Sequence, residues 1–125
     1  MQREFRITAS KDFQAVYKLG KSTANKDLVV YFLKKEGQRS RLGISVSRRI
    51  GSAVVRNKVK RLLKEAFRRN EDKIKGGYDI ILIAREAVNE KSFQDIEKTL
   101  IDVLAKAGLL INRDEDDSHM VDQSI

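Results

Sequence analysis

The chain contains no cysteine and a single histidine, His119. A disulfide frame and a thiolate metal site are therefore excluded, and the expectation is a protein that works inside the cell. With one histidine and no thiol, few residues are available for general-base or nucleophilic chemistry. Long hydrophobic runs are missing as well. The opening MQREFRITASKDF has no continuous apolar stretch, and no later segment approaches the ~20 apolar residues of a spanning helix. Neither an export signal nor a membrane-integral protein is expected. The most telling shortage is local: VVRNKVKRLLKEAFRRN, Val54 to Asn70, holds seven lysines and arginines but one carboxylate, Glu65. A helix that only needs solubility usually mixes its charges, because opposite signs three or four residues apart add a little stability.

What is present suffices for one core. The 125 residues are 41% hydrophobic and 35% charged, charge-rich but able to fold as a single domain. From Arg48 to Arg69 nine basic residues face Glu65 alone, a net charge of +8 that equals the charge of the whole chain. The rest carries 17 residues of each sign, so the basicity is concentrated, as a docking surface requires.

Along the chain, Ser10 is placed to cap a short helix Lys11 to Leu19, with Gly20 where a left-handed residue would end it. LVVYFLK, Leu28 to Lys34, reads as a strand covered on both faces. In LGISVS, Leu42 to Ser47, large residues alternate with small ones, so that one face packs while Gly43, Ser45 and Ser47 leave room. A second helix runs from about Ser52 to Arg69. YDIILIA, Tyr78 to Ala84, has the nearly continuous apolar character of a central strand. Ser92 opens a third helix, with Phe93, Ile96, Leu100, Val103, Leu104 and Ala107 at helical spacing up to Gly108. The predicted order is α-β-β-α-β-α, an α+β fold in which three helices pack on a small mixed sheet. Residues 1–111 form one domain. Residues 112–125, with Asp114, Glu115, Asp116 and Asp117, read as an acidic, disordered tail.

At 100° per residue, Val55, Val59, Leu62, Leu63 and Ala66 line one side of the second helix. Asn57, Lys60, Arg61, Lys64 and Arg68 line the other, Arg56 and Lys58 flank the borders, and Arg48 and Arg49 precede the helix. Gly51 and Ser52 expose its first N–H groups, a ready anion site. These cations can solvate the outer face of a core helix, or they can grip a polyanion. Their near-exclusive positive sign favours a nucleic-acid surface. Phe13 and Tyr17 lie one turn apart on the first helix and Tyr31 comes from a strand. Their rings can fill a core or stack on unpaired bases, at ~1–3 kcal/mol per base. The acidic run of the tail could hold Mg²⁺ loosely, but adjacent acids on such a segment do not define a rigid site. No catalytic residue and no metal site is assigned.

LGISVSRRIGSAVVRNKVKRLLKEAFR resembles the signature region of the protein subunit of bacterial ribonuclease P, and the likeness extends from KDFQAVYKLGKSTAN through YDIILIAR to the last helix. It covers about the first 110 residues and leaves the acidic tail outside. One departure stands out: the third residue of the family's Arg-Asn-Arg motif is Lys58, which keeps the charge but loses arginine's planar fork. The resemblance implies a fold like the second domain of a small-subunit ribosomal protein. The basic helix would form a left-handed β-α-β crossover, against the general right-handed rule. It implies a helper for an RNA catalyst, which binds the catalytic RNA and the leader of precursor tRNA while the RNA cuts the phosphodiester bond. The protein is then a subunit of an endoribonuclease whose catalytic centre lies in the RNA, with Mg²⁺ there and no cofactor of its own. Carried over by position, Arg48, Arg49, Arg56, Asn57, Lys58, Lys60, Arg61, Lys64 and Arg68 would face the catalytic RNA, and Phe13, Tyr17 and Tyr31 the leader. The partners implied are these two RNAs, with no membrane and no obligatory protein partner, in the cytoplasm. A ribosomal-RNA-binding structural module without a nuclease role shares the basic helix, and a transcription regulator would instead read duplex base edges.

Overall fold

A computed structural model describes residues 5–37 and 39–111 of the chain. Its elements are α1 (Ser10–Leu19), β1 (Lys21–Ala24), β2 (Leu28–Lys34), β3 (Arg41–Val46), α2 (Ala53–Arg69), β4 (Tyr78–Ala84) and α3 (Phe93–Lys106). Single 3₁₀ turns at Arg48–Ile50, Glu71–Lys73 and Glu86–Val88 precede or follow the longer elements. The sheet has the order β1-β2-β4-β3. β4 runs antiparallel to β2 and parallel to β3, so the sheet is mixed and α2 is the crossover between parallel neighbours. The nearly continuous apolar run of β4, interrupted by Asp79, is explained by this central place, where both faces are covered.

One face of the sheet meets α2 and α3. Leu28, Val30, Ile80 and Leu82 pack there with Val59, Leu63, Phe67, Ile96, Leu100 and Leu104, all buried. Each such side chain contributes about 1.5–3 kcal/mol by leaving water, which makes this the principal core. Ser52 caps α2 by accepting a hydrogen bond from the Val55 N–H at 3.4 Å, and Ser92 caps α3 from Asp95 N–H at 3.1 Å. Gly108 ends α3 with φ 75°, the left-handed value that favours glycine. The other face holds a smaller cluster, Ile7, Val16 and Ile81, under α1.

Three expectations from the sequence change. KSTA, Lys21–Ala24, to which the sequence assigned no element, is a strand, so the order is α-β-β-β-α-β-α; its residues are too few and too polar to alternate, and pairing with β2 makes it a strand. Ser10 is the first helical residue, and the cap is Ala9, which offers no side-chain bond. Gly20 is extended (φ −84°), not left-handed. It is small because a Cβ would lie 2.5 Å from the Phe32 carbonyl oxygen and 2.6 Å from that of Val16.

Candidate RNA interface

α2 has the two faces its periodicity predicts. Val59, Leu63, Ala66 and Phe67 are buried, Phe67 extending the apolar stripe by a residue, while Asn57, Lys58 and Arg61 are exposed and Lys60 and Lys64 half-buried. At its start Gly51 adopts φ 154°, and Arg56 Nη1 donates to the Gly51 carbonyl at 3.1 Å, which draws that guanidinium over the turn that carries Arg48 and Arg49. Among the described residues, ion pairs take up Arg39, Arg41, Arg68, Arg69 and Lys91. Arg48, Arg49, Arg56, Lys58, Lys60, Arg61 and Lys64 belong to none of them. Among the described residues the positive ridge thus has no ion-pair partner from Arg48 to Lys64.

Arg68 stands apart from this set. Its guanidinium holds Glu65 through two hydrogen bonds, at 2.6 and 3.2 Å. That hydrogen bond is the main reason Glu65 sits below the usual carboxylate range and Arg68 above the usual guanidinium value. Arg68 also lines a different cavity, about 540 Å³, with Arg39, Glu71 and Asp72. The charge that the sequence places on the ridge at this position is locally offset.

The α1 face of the sheet is built in rows. Gly43, Ile81 and Tyr31 are register partners in one row, with Ile81 and Gly43 buried. Gly43 is small for a reason, since a Cβ there would lie 2.8 Å from Phe13 Cζ. Tyr17 meets Tyr31 edge to face at 4.9 Å between ring centres, and Phe13 lies 6.4 Å from Tyr17. The aromatic trio named from the sequence is therefore one contiguous wall. Phe13 and Tyr31 are half-buried and Tyr17 is 40% exposed. Desolvation, with the neighbouring Tyr31 second, pushes the Tyr17 hydroxyl above the usual tyrosine range. The next row, Ser45, Ile83, Val29 and Ala24, is only half-buried, and forms the floor of an open cleft beyond α1.

The ridge and the cleft adjoin. A cavity of about 160 Å³ is lined by Arg6, Phe13, Gly43, Ile44, Lys60 and Lys64, so the inner lysines of α2 share a wall with the first aromatic ring. Arg6 reaches this place because its segment bridges to the edge of β3, where Ile7 N–H donates to the Leu42 carbonyl at 2.9 Å. At the other end of the floor, Lys26, Ser47, Arg49 and Arg85 line a cavity of about 490 Å³. Arg6, Lys26 and Arg85 were not singled out from the sequence. Arg85 and Lys26 could have been found from their place at the ends of β4 and β2, on the side of the sheet where β3 delivers Arg48 and Arg49. Arg6 depends on a long-range pairing that no local pattern announces. Among the described residues no group of three or more His, Cys, Asp or Glu is placed to hold a metal ion, and no helix is long and apolar enough to cross a membrane. His119 and Asp114–Asp117 lie outside the described residues, as does the tail expected over 112–125.

A cationic helix face set against an open, aromatic-walled sheet defines an α+β nucleic-acid-binding protein. The family described as Ribonuclease P matches residues 1–108. A ribonuclease P protein component of Clostridium botulinum is 51% identical over 108 residues, covering 86% of this chain and 97% of that one. One from Clostridioides difficile is 50% identical over 106 residues, covering 84% and 93%. Among solved structures, the RNase P protein of Staphylococcus aureus superposes with TM-score 0.80 at 41% identity, over 86% of this chain and 98% of its own. That of Thermotoga maritima gives 0.76 at 38%, over 81% and 96%. The chain belongs to the ribonuclease P protein family. It is the protein component of a ribonucleoprotein endoribonuclease that processes tRNA, its partner is the ribonuclease P RNA, and the alternative of a ribosomal-RNA module falls away.

Proposed function

We propose that the two surfaces divide the work of the ribonucleoprotein: the ridge Arg48 to Lys64 seats on the catalytic RNA, and the cleft walled by Phe13, Tyr17 and Tyr31 takes the single-stranded leader of precursor tRNA. The observation that carries this reading is the contiguity of the three rings beside a floor left open by α1. Rings of this kind stack on any base, and the cations at both ends of the floor, Lys60 and Lys64 at one and Lys26, Arg49 and Arg85 at the other, suit a phosphate backbone running across it. Arg68, held by Glu65, contributes less than its neighbours. Bond cleavage, with its Mg²⁺, belongs to the RNA, and the place of action is the cytoplasm.

The test is a binding comparison on the reconstituted ribonucleoprotein, with precursor tRNA and mature tRNA as ligands. Tyr17→Ala with Tyr31→Ala is expected to weaken the precursor and leave the mature tRNA unchanged. Equal losses for both would return the tyrosines to a packing role. Robust cleavage of precursor tRNA by the protein without the RNA would overturn the division of labour.

A further inference from the structure

α1 carries two of the three rings of the cleft, yet little holds it down. Val16 is its one buried residue, and its cap Ala9 supplies no side-chain hydrogen bond. Leu19, at its end, is 70% exposed. Beside the contacts of Phe13 and Tyr17 with the sheet, a further anchor is ionic. Arg41 on β3 makes a two-pronged pair with Asp79 on β4, Nε to Oδ1 at 2.8 Å and Nη2 to Oδ2 at 2.7 Å. The Asp79 side chain is only 3% exposed, so this pair fixes the plane of the guanidinium. The remaining nitrogen, Nη1, then lies 3.6 Å from Asp12 Oδ2 in the first turn of α1. Among the described residues this is the one ion pair between α1 and the sheet. Two residues along the same strand, on the same face, Gly43 makes room for the ring of Phe13, the neighbour of Asp12.

We infer that the Asp12–Arg41–Asp79 relay is a positioning device for the cleft, seating α1 so that Phe13 and Tyr17 meet the leader strand; this rests on the cleft being the leader site. Asp79 orients Arg41, Arg41 holds Asp12, and Asp12 sets the turn that bears Phe13. These three are positioning residues, since none belongs to the wall or floor of the cleft. The sign of the effect separates positioning from bulk electrostatics. Removing the Asp12 carboxylate raises the net charge by one, which by itself tightens the binding of every RNA. Unseating α1 does the reverse, and for the leader alone.

The experiment uses the protein reconstituted with its catalytic RNA and compares Asp12→Asn, Asp12→Glu and Tyr31→Ala. Asp12→Asn leaves the Arg41–Asp79 pair intact, so the sheet stays folded. It is expected to weaken precursor tRNA roughly two- to fivefold, the range open to a half-exposed ion pair, while mature tRNA is bound as before. KM should rise with kcat kept, and Asp12→Glu should restore most of the loss. In the free protein, amide exchange at Val16 and Tyr17 should quicken while β4 stays protected. Unchanged α1 exchange in Asp12→Asn overturns the inference whatever the RNA results are. So does an unchanged precursor preference in Asp12→Asn when Tyr31→Ala loses it, and so do equal losses on both tRNAs. If Tyr31→Ala also keeps the full preference, the leader reading itself fails and the relay falls with it.

Discussion

The face of the sheet that meets α2 and α3 is closed, whereas the face that meets α1 is covered over part of its width. On the closed side, side chains such as Leu63, Ile80, Leu82 and Leu100 are fully buried and interlocked. On the open side the buried apolar cluster among the described residues is just Ile7, Val16 and Ile81, and the row Ser45, Ile83, Val29 and Ala24 is left half-exposed. The contrast shows where stability is stored and where it is withheld. A helix as lightly held as α1 leaves a groove beside it, and the burial that the open face forgoes is supplied by the opposite one.

The largest effect that would sharpen this contrast is on the closed face. Leu63→Ala removes a fully buried side chain from the α2 side and is expected to cost about 2–5 kcal/mol in urea unfolding, while the folded fraction still prefers precursor over mature tRNA. On the open face the order reverses. Tyr17→Ala with Tyr31→Ala should lose about 1–3 kcal/mol of precursor binding per stacked base, with little change in the urea midpoint. A large stability loss there would show the two faces to be energetically alike. Next come the ridge cations. With about six phosphate contacts, log K for the catalytic RNA should fall against log[salt] with a slope of roughly −4 to −5, and Arg61→Ala should reduce its steepness by about 0.7–0.9. A flat dependence would remove the ridge from the interface. Arg68→Ala should change the slope by less than Arg61→Ala does, since Glu65 already offsets its charge.

The smallest effect concerns pH. Burial raises the Tyr17 hydroxyl, so its neutral form is the one the fold prefers. This contribution is present below the unfolded value, near about pH 10, and is lost as pH rises through the folded one. Precursor preference should therefore stay level between about pH 6 and 9, as read by binding in a constant-salt buffer series. A Tyr17-dependent decline inside that window would contradict the upward displacement of its hydroxyl.

Elements whose own sequence holds the whole signal were legible. α2 and α3 have helical spacing with serine caps, and β4 has a run of apolar residues that only a central strand needs. β1 was not legible, because KSTA becomes a strand through β2 and through nothing within itself. Gly20 looked like a left-handed terminator by position, but its smallness answers a carbonyl from the neighbouring strand. The positive charge of the ridge could be counted in advance, and the Glu65–Arg68 spacing of three was visible as well. Its consequence, that Arg68 drops out of the uncompensated set, needed the side-chain geometry. The aromatic trio could be named but not placed, since stacking and packing ask for the same residues. Arg6 joins Lys60 and Lys64 only after the chain has returned from β3 and α2, a separation that local patterns do not span.

The floor of the cleft has one further consequence. Ala24, Val29 and Ile83 offer no donor or acceptor from their side chains, and Ser45 alone contributes a hydroxyl. On the proposed leader reading, such a floor would receive a thin, unpaired strand by shape and apolar contact rather than by reading base edges. Discrimination among transcripts would then fall to other parts of the assembly.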